Sequence, residues 1–574
     1  MADEASGLHV VFNGEIYNFA ALRAELEAAG TAFRSSSDTE VLLQGYRRWG
    51  EAVVSRLRGM FAFAIWDERA RTCFLARDRL GIKPLVYASV PGGLVFASEI
   101  KALFAHPGLS VELEPPAVDR YLALGYVPGP GTIFRHVLVL SPGCWLRWRE
   151  GTVETGRYWE PDFSAGPLQG NEADLVEELD RRLSDAVVSH LVADVPVGAF
   201  VSGGVDSSLV AAIAAKHLDT PLHTFTIGFE GGGDERAYAR RVSGWIGSAH
   251  HERLAEPEIE AQVPRLVWHM DQPLFDNSML PTFLVSSLAR EWGKVVLSGD
   301  GGDEPFFGYD WTRWALRLPS LPLPRRHAGW EGAYRAGWAG LAGRLYDDLS
   351  RTADERYLRR MTVPAALRAW LYRPEFSERL GALEAEPLRL PRDGLRDARD
   401  RFVRADLAGF LVDDILLKVD RMSMACGLEV RVPLLDHRLL EWVLRLPVPW
   451  RFREGRGKYL LRQVAGRYLP PDILQPRKQG FTVPIGRWLH GPLGLLVERL
   501  FASRRFAERG LIRPERARHL LDLHRSRRYD LGHRLWSLAI LEIWCRIWLD
   551  RQTPDQSIRT LLAETGDAVC PNLS

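Results

Sequence analysis

The 574-residue chain has few cysteines and almost no net charge. Its five cysteines (Cys73, Cys144, Cys426, Cys545 and Cys570) are scattered and form no CxxC pair, which argues against a disulfide framework or a cysteine-based zinc site and fits a reducing compartment. Lys+Arg 74 against Asp+Glu 73 leaves +1, so no overall field favours nucleic acid or an anionic membrane. No apolar run approaches the ~20 residues of a membrane span; the greasiest stretch, Leu538–Leu549, carries Glu542 and Arg546. The first residues, Met1-Ala2-Asp3-Glu4, hold neither a basic nor an apolar leader segment, so the expected location is the cytoplasm. Lysine is scarce as well: only Lys83, Lys101, Lys216, Lys294, Lys418, Lys458 and Lys478 stand among the 74 basic residues. An ammonium is a compact point charge that arginine does not replace everywhere, so each lysine merits inspection.

What remains is ordinary globular composition, 46% hydrophobic and 26% charged, long enough for several domains. To about residue 160 the pattern predicts strands and turns with a few helices. His9–Phe12 reads as a strand ending at an Asn13-Gly14 turn, Phe19–Ala29 as a helix stopped by Gly30, and Met60–Trp66, Thr72–Ala76 and Gly93–Ala97 as strands. Pro161–Asn171 is the best linker. Beyond it strands and helices alternate: a helix to Leu191, a buried strand Val195–Val201, a helix Ser207–Lys216, a strand Leu222–Ile227, a helix Ala237–Ile246 and a strand Lys294–Leu297. That alternation predicts a doubly wound parallel sheet with its ligand crevice at the carboxyl ends of the strands, followed by a mostly helical part. Residues 487–551 carry 14 Arg against 7 Asp+Glu, but these alternate with apolar residues at helical spacing, as solvated helix faces do.

Ser202-Gly203-Gly204-Val205-Asp206-Ser207 lies between a strand and a helix. Two glycines let backbone N–H groups close around an anion, the helix adds the positive end of its dipole, Ser202 and Ser207 add hydroxyls, and Asp206 can hold Mg²⁺ against phosphates. The GxxxxGK[ST] pattern of kinase-type and GTPase-type loops is absent. The hexapeptide resembles the pyrophosphate loop of the ATP pyrophosphatase group, which implies cleavage between the α- and β-phosphates. A second loop, Leu297-Ser298-Gly299-Asp300-Gly301-Gly302-Asp303-Glu304, packs three carboxylates into a glycine-rich turn, where a cation or a basic partner must relieve their repulsion. Tyr309 follows it. Farther on stand Asp420-Arg421-Met422-Ser423-Met424-Ala425, Glu429-Val430-Arg431-Val432-Pro433-Leu434-Leu435-Asp436 and Arg477-Lys478-Gln479-Gly480-Phe481.

Taken in order, these motifs resemble the synthetase domain of glutamine-dependent asparagine synthetases. Phe12-Asn13-Gly14-Glu15-Ile16-Tyr17-Asn18, Ser37-Asp38-Thr39-Glu40, Gly59–Phe63 and Ala76–Pro84 resemble that family's class II glutaminase domain. The resemblance covers roughly residues 8–550. It implies an incomplete αββα sandwich of the N-terminal-nucleophile type over 1–160, a synthetase domain over 172–551 and a tail over 552–574. It implies ATP and Mg²⁺ as cofactors, with ATP on Val201, Ser202, Gly203, Gly204, Asp206, Ser207, Ile227, Ser298 and Gly299, and metal on Asp206 and Asp303. Asp300, Lys478, Tyr309 and Glu429 take catalytic positions; Tyr309 and Glu429 lie where related amide-forming synthetases have a catalytic Tyr–Glu pair. Asn13, Gly14, Glu15 and Asp38 fall at the glutamine site. The implied reaction adenylates the aspartate side chain, releases pyrophosphate and lets ammonia displace AMP; amide formation on another acid, such as a uronic acid, is the alternative. Small molecules are the implied partners, without nucleic acid or membrane, and a homodimer is left open.

Two departures stand out. Asp300 occupies a position where many of these synthetases carry glutamate. Class II glutaminases attack with an N-terminal cysteine whose own amine serves as base, whereas this chain begins Met1-Ala2 and has no cysteine before Cys73. The strands expected ahead of residue 8 are also missing. The expectation is a chain that hydrolyses no glutamine.

Overall fold

The computed structural model describes residues 1–565 except 230–233, 256–258, 325–329, 331–333, 336, 382, 385–386 and 475–482. The architecture is mixed α/β. The N-terminal part holds strands β1 (Ala2–Asp3), β2 (Leu8–Ile16), β3 (Gly59–Asp67), β4 (Thr72–Arg77), β5 (Val86–Val90), β6 (Gly93–Ala97), β7 (Leu138–Val139), β8 (Cys144–Arg149) and β9 (Thr152–Arg157). They form a six-stranded antiparallel sheet, β1-β2-β3-β4-β8-β9, and a three-stranded one, β6-β5-β7. Helices Phe19–Ala28 and Asp38–Trp49 cover the outer face of the larger sheet through Leu22, Leu26, Val41 and Leu42. Between the sheets lie Ala62, Ala64, Leu75 and Leu146 against Leu85, Tyr87 and Leu140.

One local expectation fails informatively. Asn13-Gly14 makes no turn: β2 runs on through both residues, pairing Asn13 with Ala62 and Gly14 with Phe61. Gly14 has φ +147°, and a Cβ there would lie 2.0 Å from the Met60 carbonyl oxygen. Here glycine serves close strand approach, which a period-based reading mistakes for a hairpin.

The second part is built on strands β10 (Val197–Phe200), β11 (His223–Phe229), β12 (Ala249–Ala255), β13 (Val295–Leu297) and β14 (Glu429–Arg431), all parallel in the order β12-β11-β10-β13-β14. The short apolar runs suit strands covered on both faces, with helices Glu172–His190 and Val205–Lys216 packed on one side. The order reverses next to β10, so the crevice between β10 and β13 is where a doubly wound sheet opens its ligand site. Helices dominate after residue 310. Gly532–Trp548 is buried along nearly its whole length, and the stretch expected as a tail folds as helix Pro554–Glu564, whose Ile558 and Leu561 join the same core. Among the described residues no helix is long and apolar enough to cross a membrane.

Candidate active site

Ser202–Ser207 leaves the carboxyl end of β10 and enters the helix that starts at Val205. Gly203 turns the chain with φ +74°, and a Cβ on it would press against Tyr238 at 2.5 Å. The helix is capped by Gly204, with no side chain on its first N–H groups; uncapped N–H groups of this kind are donors for an anion. Ser202 and Ser207 stand with hydroxyls 3.1 Å apart, and the Ser202 N–H donates to Ser207 Oγ at 3.3 Å.

The loop after β13 closes against this one. A Cβ at Gly299 would sit 2.5 Å from the Ser207 nitrogen, and one at Gly302 would lie 2.8 Å from Asp206 Cγ. Only glycines let the two loops touch. The Ser298 hydroxyl donates to Asp300 at 2.5 Å, and the Ser298 N–H donates to the Arg431 carbonyl at 2.8 Å. Where the loops meet stands Lys458, in the left-handed region at φ +62°. Its ammonium pairs with Asp206 and with Asp303, the latter at 2.7 Å. Burial alone would push this ammonium's pKa down; the two carboxylates hold it above the usual lysine value.

The cavity between the loops measures about 540 Å³ and also takes in Asp276, Tyr309 and Lys418, a volume suited to a nucleotide-sized ligand. At its far end Lys418 is bonded to Asp276 at 2.9 Å and to Ser278 Oγ at 2.6 Å. Tyr309 stacks on Trp311 with ring centroids 4.1 Å apart and donates its hydroxyl to Glu304 at 2.6 Å. Burial first, and Asp303 second, push the Glu304 carboxyl up to about 8.

Thus Val201, Ser202–Ser207, Ser298, Gly299, Asp300, Asp303 and Tyr309 share one cavity. Ile227 does not line it: its side chain is buried in the core beneath β11, and Phe225 and Thr226 face the cavity instead. Lys478 lies outside the described residues. Glu429 is not the partner of Tyr309; it accepts from Arg431 Nε at 2.7 Å. Arg431 also reaches Glu15 at 3.0 Å. The charged motifs around Pro433 therefore serve the seam between the two parts: Arg58 pairs with Asp436, Lys83 with Asp420 at 3.1 Å, and Arg421 with Glu99 at 3.6 Å. The sequence reading missed Lys458 and the Glu304–Tyr309 pair. Lys458 was visible only as one of seven lysines, beside a glycine.

Asn13, Gly14, Glu15 and Asp38 lie together on the other side of that seam. Asn13 donates to Ser98 Oγ at 3.1 Å and Asp38 accepts the Ile16 N–H at 3.1 Å. No described cysteine has an activated thiol. Burial pushes Cys73 and Cys426 up to about 11 and Cys545 to about 12, and raises Cys144. Low-pKa thiolates do the nucleophilic work of cysteine, so none of these four fits that task.

Comparison with known proteins agrees with this geometry. Residues 178–546 match the family model described as asparagine synthase, and residues 1–159 match that of a glutamine amidotransferase domain. The chain is 38% identical over 565 residues to a Mycobacterium tuberculosis protein carrying the name of a glutamine-hydrolysing asparagine synthetase, spanning 95% of this chain and 85% of that one. It is 33% identical over 555 residues to a glutamine-hydrolysing asparagine synthetase of Bacillus subtilis, 95% of this chain and 86% of the relative. An amidase of Penicillium rubens is 30% identical over 562 residues, 89% of this chain and 82% of the relative.

Proposed function

The chain belongs to the asparagine synthase family, a family of ligases, and on that premise we propose that it activates the side-chain carboxylate of aspartate with ATP and converts it to the amide with ammonia. The observation that carries this reading is the meeting of Asp206, Asp303 and Lys458 between two glycine-tight loops in one cavity.

In this reading the N–H groups at the start of helix Val205–Lys216, with Ser202 and Ser207, hold the pyrophosphate portion of ATP. Lys458 stands where negative charge grows on the departing pyrophosphate as the acceptor carboxylate bonds to the α-phosphorus. Asp206 and Asp303 fit Mg²⁺: two hard oxygen donors from opposite loops already converge on a single cation, the Lys458 ammonium, and phosphate oxygens complete such a set. A bound Mg²⁺ there would neutralise phosphate charge. Asp300, fixed by Ser298, faces the acceptor end beside Lys418. Tyr309, with Glu304 behind it, is placed to accept a proton from the incoming amine, at Tyr309 Oη and through it Glu304 Oε1. Asn13, Gly14, Glu15 and Asp38 are the proposed glutamine-binding group. A cytoplasmic setting accords with four free cysteines among the described residues.

A second reading has one observation behind it, the extended match to the Penicillium rubens amidase: amide formation on a different carboxylate, such as a uronic acid. Helix Asp310–Arg317 follows Tyr309 and brings Trp311 and Arg313 to the cavity wall, where they shape the acceptor end.

The nucleotide product tests the proposal. With ATP, Mg²⁺, aspartate and ammonium, the protein is expected to release AMP and pyrophosphate in equal amounts; ADP and phosphate would refute adenylation.

A further inference from the structure

A second cavity of about 220 Å³ opens at the seam between the two parts and shares no lining residue with the first. It is smaller than the roughly 300 Å³ at which drug-sized pockets begin, so its occupant is a small metabolite. Trp159, Phe163 and Leu407 give it an apolar wall, while Arg79, Arg404 and Asp413 give it charge of both signs.

Arg157 and Glu160 on the same lining pair with each other at 3.4 Å, but Arg79, Arg404 and Asp413 form no ion pair with one another among the described residues. Arg79 is nine-tenths buried and gives its two terminal nitrogens to backbone carbonyls, those of Leu57 at 2.6 Å and Ser55 at 3.0 Å. Its Nε is buried without a hydrogen-bond partner among the described residues. Arg404 donates to the Asp393 carbonyl at 2.9 Å. Neither guanidinium forms an ion pair among the described residues, so each keeps its positive charge for a ligand. Asp413 accepts one backbone N–H, from Gly129 at 3.0 Å, and a carboxylate has capacity for several more donors. The Arg79 guanidinium also lies over the Tyr158 ring, 5.6 Å from its centroid, but with no carboxylate on it and an orphaned Nε–H its burial is costly unless an anion completes it.

We infer that this cavity binds a free α-amino acid with an apolar side chain, its carboxylate on Arg79 and Arg404, its ammonium on Asp413 and its side chain against Trp159, Phe163 and Leu407. A zwitterion matches the two signs of charge; a simple anion would leave Asp413 facing it. The site is joined to the first cavity by one element. The π-helical segment Asp406–Leu416 sends Leu407, Val412 and Asp413 to this cavity and Phe410, Asp414 and Ile415 to the other. A residue inserted into the hydrogen-bond ladder in this way is common at functional sites, and here it gives the two cavities a common wall.

The test is calorimetric titration of the 574-residue protein with L-leucine. Saturable binding is expected, weakened about tenfold or more, ~1.4 kcal/mol, for 4-methylpentanoate, which lacks the amine, and for 3-methylbutylamine, which lacks the carboxylate. Arg404→Ala and Asp413→Asn are each expected to weaken L-leucine binding by a similar factor, with Arg404→Lys restoring part of it and thermal unfolding of all three close to that of the parent. A non-hydrolysable ATP analogue is expected to leave L-leucine bound. No saturable binding, equal binding of the amine-free analogue, indifference to both substitutions, or displacement by the ATP analogue would each overturn the assignment.

Discussion

Arg431 lies 3.0 Å from Glu15 across the seam, and its own carbonyl accepts the N–H of Ser298 at the mouth of the first cavity. One residue thus touches strand β2 with its side chain and the loop after β13 with its backbone. Burial pushes the Glu15 carboxyl up to about 7 even with Arg431 beside it. Arg431 is 2% exposed and holds both Glu15 and Glu429. Arg431→Leu is expected to cost about 3–5 kcal/mol, because it strands two largely buried carboxylates at the seam. Urea unfolding measures this, and adding Glu15→Gln is expected to recover part of the loss. A loss below about 1 kcal/mol would make the contact an ordinary surface pair.

Asp406 supplies a pH signature. Burial outweighs its hydrogen bonds from Tyr357 and Thr312 and raises its carboxyl from 3.8 to about 7. An acid that binds its proton more tightly in the folded state stabilises the fold fully below its ordinary value, and that contribution fades as pH climbs through the folded value. The melting temperature is therefore expected to fall between about pH 4 and pH 7, and Asp406→Asn to flatten the fall. An Asn variant with the parent's slope would contradict this.

Lys458 is the strongest single test of the phosphate end. Lys458→Met removes the cation between Asp206 and Asp303, and the rate of AMP formation is expected to drop roughly 10²–10³-fold, as for loss of one preorganised electrostatic contact. Because the two carboxylates would then repel, the Mg²⁺ concentration needed for half-maximal activity is expected to change too. A variant within about threefold of the parent, ~0.6 kcal/mol, would remove Lys458 from the reaction.

Gly299→Ala probes the contact between the two loops. Its Cβ would sit 2.5 Å from the Ser207 nitrogen, so one loop has to move. ATP affinity is expected to weaken at least about tenfold, ~1.4 kcal/mol, with circular dichroism unchanged. Equal affinity would show that the loops have slack the glycine does not use.

The site was only partly legible in the sequence, and the division has a physical cause. Ser202–Ser207 and Ser298–Glu304 are contiguous, so their glycines, hydroxyls and carboxylates announce a phosphate cradle without any tertiary information. Lys458 bonds to Asp206 across 252 positions of sequence, and nothing local distinguishes it from a solvated lysine. The charges of Glu429, Arg431 and Asp436 were visible as a cluster, but a three-residue strand does not reveal which side chains face the cavity and which the seam. Asn13-Gly14 misled because glycine permits both a turn and close strand packing. The parallel sheet followed from the alternation of apolar strands and helices. The helix Pro554–Glu564 did not, because its burial depends on a groove built by distant elements.

The identity of the amidated acid tests the account most directly. Incubation with ATP, Mg²⁺, ¹⁵N-ammonium and a mixture of aspartate and uronic acids, followed by mass analysis of the products, reads it in one experiment. The account predicts ¹⁵N in the side-chain amide of asparagine, in step with AMP release. Label in a uronamide with none in asparagine would contradict it.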